Sequence, residues 1–104
     1  MERPLKYRLR VTVNKHKVTT VLIGRRYLTK HGKYINDDLI LRLVKSLDGG
    51  VYPVDSTTKG VDYYAADVLL AETGKVYRIV WLFEGRYLEI LGVVNTYRRK
   101  TRRK

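Results

Sequence analysis

His31, Lys33, Arg78, Asn95, Tyr97 and Arg98 are the residues of this 104-residue chain whose types can do chemistry together. Cleaving RNA without a metal ion asks for three roles. A base takes the 2′-hydroxyl proton, cations stabilise the charge developing on the phosphorane, and an acid protonates the leaving 5′-oxygen. An imidazole, a phenol and guanidinium groups can fill them. Histidine, with an ordinary pKa of about 6.5, serves as acid or base, whereas tyrosine, at about 10, is a poor base at neutral pH but a serviceable acid. Arginine keeps its charge at any working pH. Each candidate also has a plainer alternative: an exposed loop histidine for His31, an ion pair with Asp67 or Glu89 for Arg78, and a cap on the end of a sheet for Tyr97.

Other chemistries are poorly supplied. His16 and His31 are the only histidines, and neither has a carboxylate at helical ligand spacing. Ser46 and Ser56, the only serines, sit in no nucleophile-elbow context. Gly24, Gly32 and Gly49-Gly50 make no phosphate loop. Without cysteine there is neither a thiolate site nor a disulfide framework. The expectation is a site with no metal and no cofactor.

Charge points to the kind of partner. The net charge is +12, and it is unevenly placed. Residues 1–34 hold ten basic side chains and one acid, residues 35–74 hold three bases and seven acids, and residues 98–104 hold six bases. Two cationic blocks around an acidic middle fit a phosphate polyanion, RNA or DNA, better than they fit solubility alone. Arg8 and Arg10 at one end, and Arg98, Arg99, Lys100, Arg102 and Arg103 at the other, are the expected phosphate contacts, with Lys33 and Asn95 between them. No stretch approaches the roughly 18 consecutive apolar residues of a membrane span. The opening MERPLKYRLR has no apolar signal core, so a cytoplasmic protein is expected. Glutamine is absent and asparagine occurs three times, a composition that leans toward thermophile proteins.

The elements that must hold the candidate residues can be read from periodicity. Leu5, Tyr7, Leu9, Val11 and Val13 alternate with Lys6, Arg8, Arg10 and Thr12, a half-buried strand with a cationic outer face. A turn at residues 14–17 leads to a second strand over 18–23. Asn36 is a natural N-cap, Asp37 and Asp38 suit the positive end of a helix, and Ile35 can staple onto Ile40. Leu39, Ile40, Leu43, Val44 and Leu47 then form one apolar stripe, and Asp48-Gly49-Gly50 ends a helix over about 37–47.

Residues 51–58, with Pro53, read as an edge strand or extended loop. Strands over 62–71, 76–83 and 86–96 follow, turning at Thr73-Gly74 and at Glu84-Gly85. A two-residue turn at Glu84-Gly85 sets Phe83 opposite Arg86, Trp81 opposite Leu88, Ile79 opposite Ile90 and Arg78 opposite Leu91. Tyr77, Ile79, Trp81 and Phe83 then share an apolar face with Leu88, Ile90 and Val94. Arg78, Asn95, Tyr97 and Asp67 fall on the other face.

The predicted fold is α+β. A twisted antiparallel meander of three or four strands, with an N-terminal β-hairpin extending it or packed beside it, is covered on one face by the helix. Residues 1–97 form one domain, and 98–104 read as a disordered basic tail.

The succession KHGKYINDDLILRLVKSLDGG, then a YY…D strand, then GKVYRIVWLFEGRYLEILGVVNTYRR resembles the small RelE-like toxins of the barnase- and RelE-type ribonuclease superfamily. The resemblance covers about residues 27–99 and is strongest in YRIVW, ILGVVN and the terminal Tyr-Arg pair. It implies a helix against a twisted antiparallel sheet, with catalytic residues on the sheet's open face and near the C-terminus. By position it implies Arg78, Tyr97 and Arg98 as site residues, with His31 matching a histidine ahead of the helix in some members. It also implies an acidic antitoxin partner and, for some members, contact with the ribosome. The chain departs from the pattern in two ways. It opens on a β-hairpin where many members have two helices, and strand 62–71 has no lysine. Two functions are therefore carried forward: a metal-independent RNA endonuclease with Arg78, Tyr97 and His31 as catalytic residues, and a non-catalytic nucleic-acid-binding protein using the same basic surface.

Overall fold

A computed structural model describes residues 5–24 and 35–99 of the chain. Among the described residues six strands form one sheet: β1 (Leu5–Val13), β2 (His16–Ile23), β3 (Val54–Thr58), β4 (Val61–Leu70), β5 (Lys75–Glu84) and β6 (Ile90–Arg99). One helix, α1 (Asp37–Ser46), lies among the described residues. The order across the sheet is β1-β2-β6-β5-β4-β3. The fold is α+β with one main helix, as the sequence suggests, and the N-terminal hairpin extends the sheet. The expectation of an all-antiparallel sheet is corrected at one place, because β2 runs parallel to β6, with Thr20 beside Ile90 and Ile23 beside Val93.

The helix starts as its residues dictate. Asn36 Oδ1 accepts the Leu39 N–H at 2.8 Å, and Asp37 and Asp38 sit in the first turn. It ends where Gly49 takes φ +84°, a left-handed conformation that an L side chain resists. Gly50 must also be a glycine, since a Cβ there would lie 2.3 Å from the Tyr52 hydroxyl. Leu39, Ile40, Leu43, Val44 and Leu47 are all buried, in one core with Tyr77, Ile79, Trp81, Leu91 and Val93. Leu43, Leu47, Ile79 and Trp81 have no exposed surface. Tyr52 meets Trp81 edge-on at 5.4 Å, and burial pushes the Tyr52 phenol above its ordinary pKa.

The β5–β6 connection differs from the tight turn that Glu84-Gly85 suggests. Strand β5 continues through Glu84, and residues 85–89 form the loop, with positive φ at Gly85 (94°) and Leu88 (56°). The register moves with it: Phe83 stands opposite Leu91 and Trp81 opposite Val93. Leu91 and Val93 therefore fill the core in place of Leu88 and Ile90. Val94 is then an extra residue in β6, a bulge that reverses the alternation. Beyond it Asn95, opposite Val80, and Tyr97, opposite Arg78, return to the face where the sequence puts them. Across the Thr73-Gly74 turn Tyr64 stands opposite Trp81 and Asp67 opposite Arg78, which puts Asp67 on the Arg78 face as the sequence suggests.

A second pair of irregularities folds the N-terminal hairpin over the core. The register of β1 slips between Arg8 and Val11, and Thr19 and Thr20 both donate their backbone N–H to the Glu89 carbonyl. Past this corner Val11, Val13 and Val18 are buried, as are Val21 and Ile23 before it. The tip is tied down by Asn14, which holds φ +53° and exchanges hydrogen bonds with the Tyr52 backbone in both directions at 2.9 Å.

Candidate functional site

The helix covers the Trp81 face of the sheet, which leaves Arg78, Asn95, Tyr97 and Asp67 on the outer face, away from it. Arg78 and Tyr97 are direct cross-strand partners on β5 and β6. Side chains that are directly opposite lie about 5 Å apart at Cβ, close enough for two groups to act on one phosphate. Asn95 follows two residues along β6 and shares their face. Arg99, opposite Val76, stands on the same face at the other side of Tyr97.

Asp67 on β4 organises the charges. It accepts Arg78 Nε at 2.8 Å and Arg78 Nη2 at 3.3 Å, and Arg99 Nη1 lies 3.6 Å from its second oxygen. The hydrogen bond from Arg78 holds the Asp67 carboxyl below its ordinary range, with the charges of Arg78 and Arg99 acting in the same direction. In return Asp67 raises the Arg78 pKa, and Tyr97 and Asp55 add smaller contributions of the same sign. Asp55 belongs to a part of β3 where the register slips between Val54 and Ser56. No sequence signal marks that slip, and sequence reasoning did not include Asp55.

This arrangement has a pH consequence. A carboxyl with a depressed folded-state pKa stabilises the fold above its unfolded value of about 4 and loses that contribution as pH falls through the lower folded value. The Asp67 side chain is 41% exposed, so solvent screening limits the effect to under about 1 kcal/mol. Asp67→Asn is expected to remove this component of the acid limb of the stability curve. A carboxyl NMR titration that finds Asp67 at or above the ordinary aspartate value would contradict the ion pair.

The remaining candidates divide. Arg98 pairs with Tyr77 across the ladder, so it belongs to the helix-side face and not to the Arg78 face. Arg98 and Arg99 are residues of β6, not of the disordered tail expected over 98–104. Arg8 and Arg10 are on edge strand β1, three strands away from β5. Arg8 borders a groove with Arg42 and Lys45 of α1, while Arg10 and Lys17 border another. His31, Lys33, Lys100, Arg102 and Arg103 lie outside the described residues. The structure thus brings together Arg78, Tyr97 and Asn95 and adds Asp67 and Arg99, but separates Arg98, Arg8 and Arg10 from them.

Among the described residues no three His, Asp or Glu side chains converge as metal ligands, and no helix is long and apolar enough to cross a membrane. The chain matches no protein-family model, no curated protein and no solved structure.

Proposed function

We propose that this protein is an RNA endonuclease that works without a metal ion, with Arg78 and Tyr97 at the centre of its site. The observation that carries the reading is their direct opposition on the outer face, with Asn95 and Arg99 beside them. The Arg78 guanidinium, oriented by Asp67, stabilises the charge of the phosphorane, and the Tyr97 hydroxyl donates a proton to the leaving 5′-oxygen. Asp67 is unsuited to be the base, because Arg78 holds it in its ionised, weakly basic form. His31 is the residue assigned to take the 2′-hydroxyl proton. In this reading an acidic antitoxin would cover the cationic surface, and the ribosome is a further candidate partner.

Incubation with RNA in EDTA tests the proposal. Fragments ending in a 2′,3′-cyclic phosphate are expected, and a 2′-deoxy substitution at the cleaved position should block the reaction. Wild-type protein that leaves every RNA intact, with and without ribosomes, would remove the enzyme reading.

Non-catalytic nucleic-acid binding is the second reading, and the Asp67 contacts favour it. One carboxylate that neutralises both Arg78 and Arg99 is what a staple across β4, β5 and β6 requires. Both readings expect binding that weakens with salt. Six to ten phosphate contacts would lower the affinity by about 10³–10⁵ between 50 and 200 mM salt. Removing residues 100–104, which carry four of the cations, should flatten the slope of log K against log salt. A salt-independent affinity would contradict both.

A further inference from the structure

On the helix side of the sheet, three chain reversals meet around a cleft of 290 Å³. They are the β1–β2 turn, the β3–β4 turn and the β5–β6 loop. One wall is a run of aromatic rings. His16 meets Phe83 edge-on with ring centroids 4.6 Å apart, Phe83 meets Tyr64 edge-on at 5.3 Å, and Tyr64 stacks on the buried Trp81 at 5.9 Å. His16, Tyr64 and Phe83 are each only partly buried, so their rings remain accessible from the cleft. Asp62 and Leu88 line the remainder, and Leu88 is held there at φ +56°, a conformation that leucine seldom adopts.

Lys15 and Lys59 occupy the two tight turns beside the cleft at φ +68° and +52°, and Arg86 is exposed in the β5–β6 loop, which is flanked by Glu84 and Glu89. Flat π surfaces beside a single carboxylate suit a nucleobase: the rings stack on it and Asp62 accepts its exocyclic N–H. Cations on the adjoining turns suit the phosphates on either side of that base, which an aromatic peptide side chain would not use.

We propose that this cleft binds one unstacked base of a single-stranded RNA, a subsite separate from the Arg78 face. The proposal rests on the RNA reading above and adds a second point of contact to it. Phe83 lies five residues along β5 from Arg78 and faces the other way, so the two places are separated by about 17 Å along the strand and by the thickness of the sheet. The base held in the cleft is therefore not the one next to the phosphate that Arg78 would handle, and the cleft acts on sequence preference rather than on chemistry.

Fluorescence anisotropy with a short single-stranded oligoribonucleotide and an abasic strand of equal length separates the possibilities. His16→Ala combined with Phe83→Leu is expected to weaken binding of the base-containing strand about tenfold, within the range for loss of one stacked base. Binding of the abasic strand and the salt slope should not change, since no phosphate contact is removed. If the variant keeps the wild-type ratio between the two strands, the subsite is overturned while the RNA reading stands. If wild-type protein binds neither strand, both fall. Should the double variant fail to fold, NMR of wild-type protein with added adenosine monophosphate decides: shifts of the His16 and Tyr64 ring signals support the cleft, and unmoved signals reject it.

Discussion

Arg78→Ala is expected to abolish RNA cleavage in EDTA while lowering the unfolding free energy by no more than about 1 kcal/mol. The small stability cost follows from exposure. The Arg78 side chain is 31% and its partner Asp67 is 41% accessible, and partly exposed ion pairs contribute about 0.2–1 kcal/mol. The large activity cost follows from the proposed role, because Arg78 is the residue of β5 directly opposite Tyr97. Tyr97→Phe keeps the ring and removes only the proton, so a loss of about 10²–10⁴ in rate is expected, the usual range for a general acid. Asp67→Asn separates the two roles that Arg78 can play. It leaves the guanidinium charge in place but loosens its orientation, and should reduce cleavage less than Arg78→Ala does. Cleavage is read on a gel, and stability by thermal unfolding of the same preparations. Arg78→Ala that unfolds the protein assigns Arg78 to the staple. Arg78→Ala that cleaves as well as wild type removes it from the site.

Leu43→Ala is expected to cost about 2–5 kcal/mol, against a total stability of about 5–15 kcal/mol for a domain of this kind. Leu43 has no exposed surface and belongs to the core that holds Ile79 and Trp81. Truncation leaves a hole between a helix and a sheet, each pinned at several other points, so the site cannot collapse to fill it. Leu41, on the same helix but half-buried, provides the contrast: Leu41→Ala should cost clearly less. Urea unfolding measures both, and a lower midpoint with an unchanged slope identifies a loss of stability rather than a change in the unfolded chain. A Leu43→Ala cost below about 1 kcal/mol would mean that α1 does not seal the sheet.

The helix was legible in the sequence because several signals agreed. The cap at Asn36, the acids of the first turn, the apolar stripe and the Gly49 stop all mark the same ten residues. Which residues of β4 and β5 share a face was legible for a similar reason, through alternation across the Thr73-Gly74 turn, although the turn itself spans residues 71–74. The β5–β6 register was not. Glu84-Gly85 has the composition of a tight turn, and the five-residue loop depends on Leu88 taking a left-handed backbone, which no local propensity announces. Asn95 and Tyr97 reached the predicted face because the Val94 bulge offset the misplaced turn. The bulges at Arg8–Val11 and Thr19–Thr20 are equally silent, because a bulge is a relation between two strands. That Arg78, Tyr97 and Asp67 share the outer face could be read; that Tyr97 stands directly opposite Arg78, where Leu91 was expected, could not. Asp55 and the His16 cleft depend on how separate strands bend toward one another, and simple alternation contains no term for that.

The order β1-β2-β6-β5-β4-β3 places β6, the last of the six described strands to be synthesised, in the interior of the sheet. During translation the β1–β2 hairpin waits, with the Thr20–Ile23 edge unpaired, for a partner that leaves the ribosome after the other described strands. The β4–β5 hairpin waits in the same way on the other side. Loss of β6 would therefore remove the seam between two halves rather than trim a border, and each half would keep a bare edge able to recruit other chains. In this topology a premature stop just ahead of β6 is as damaging as one far earlier in the chain.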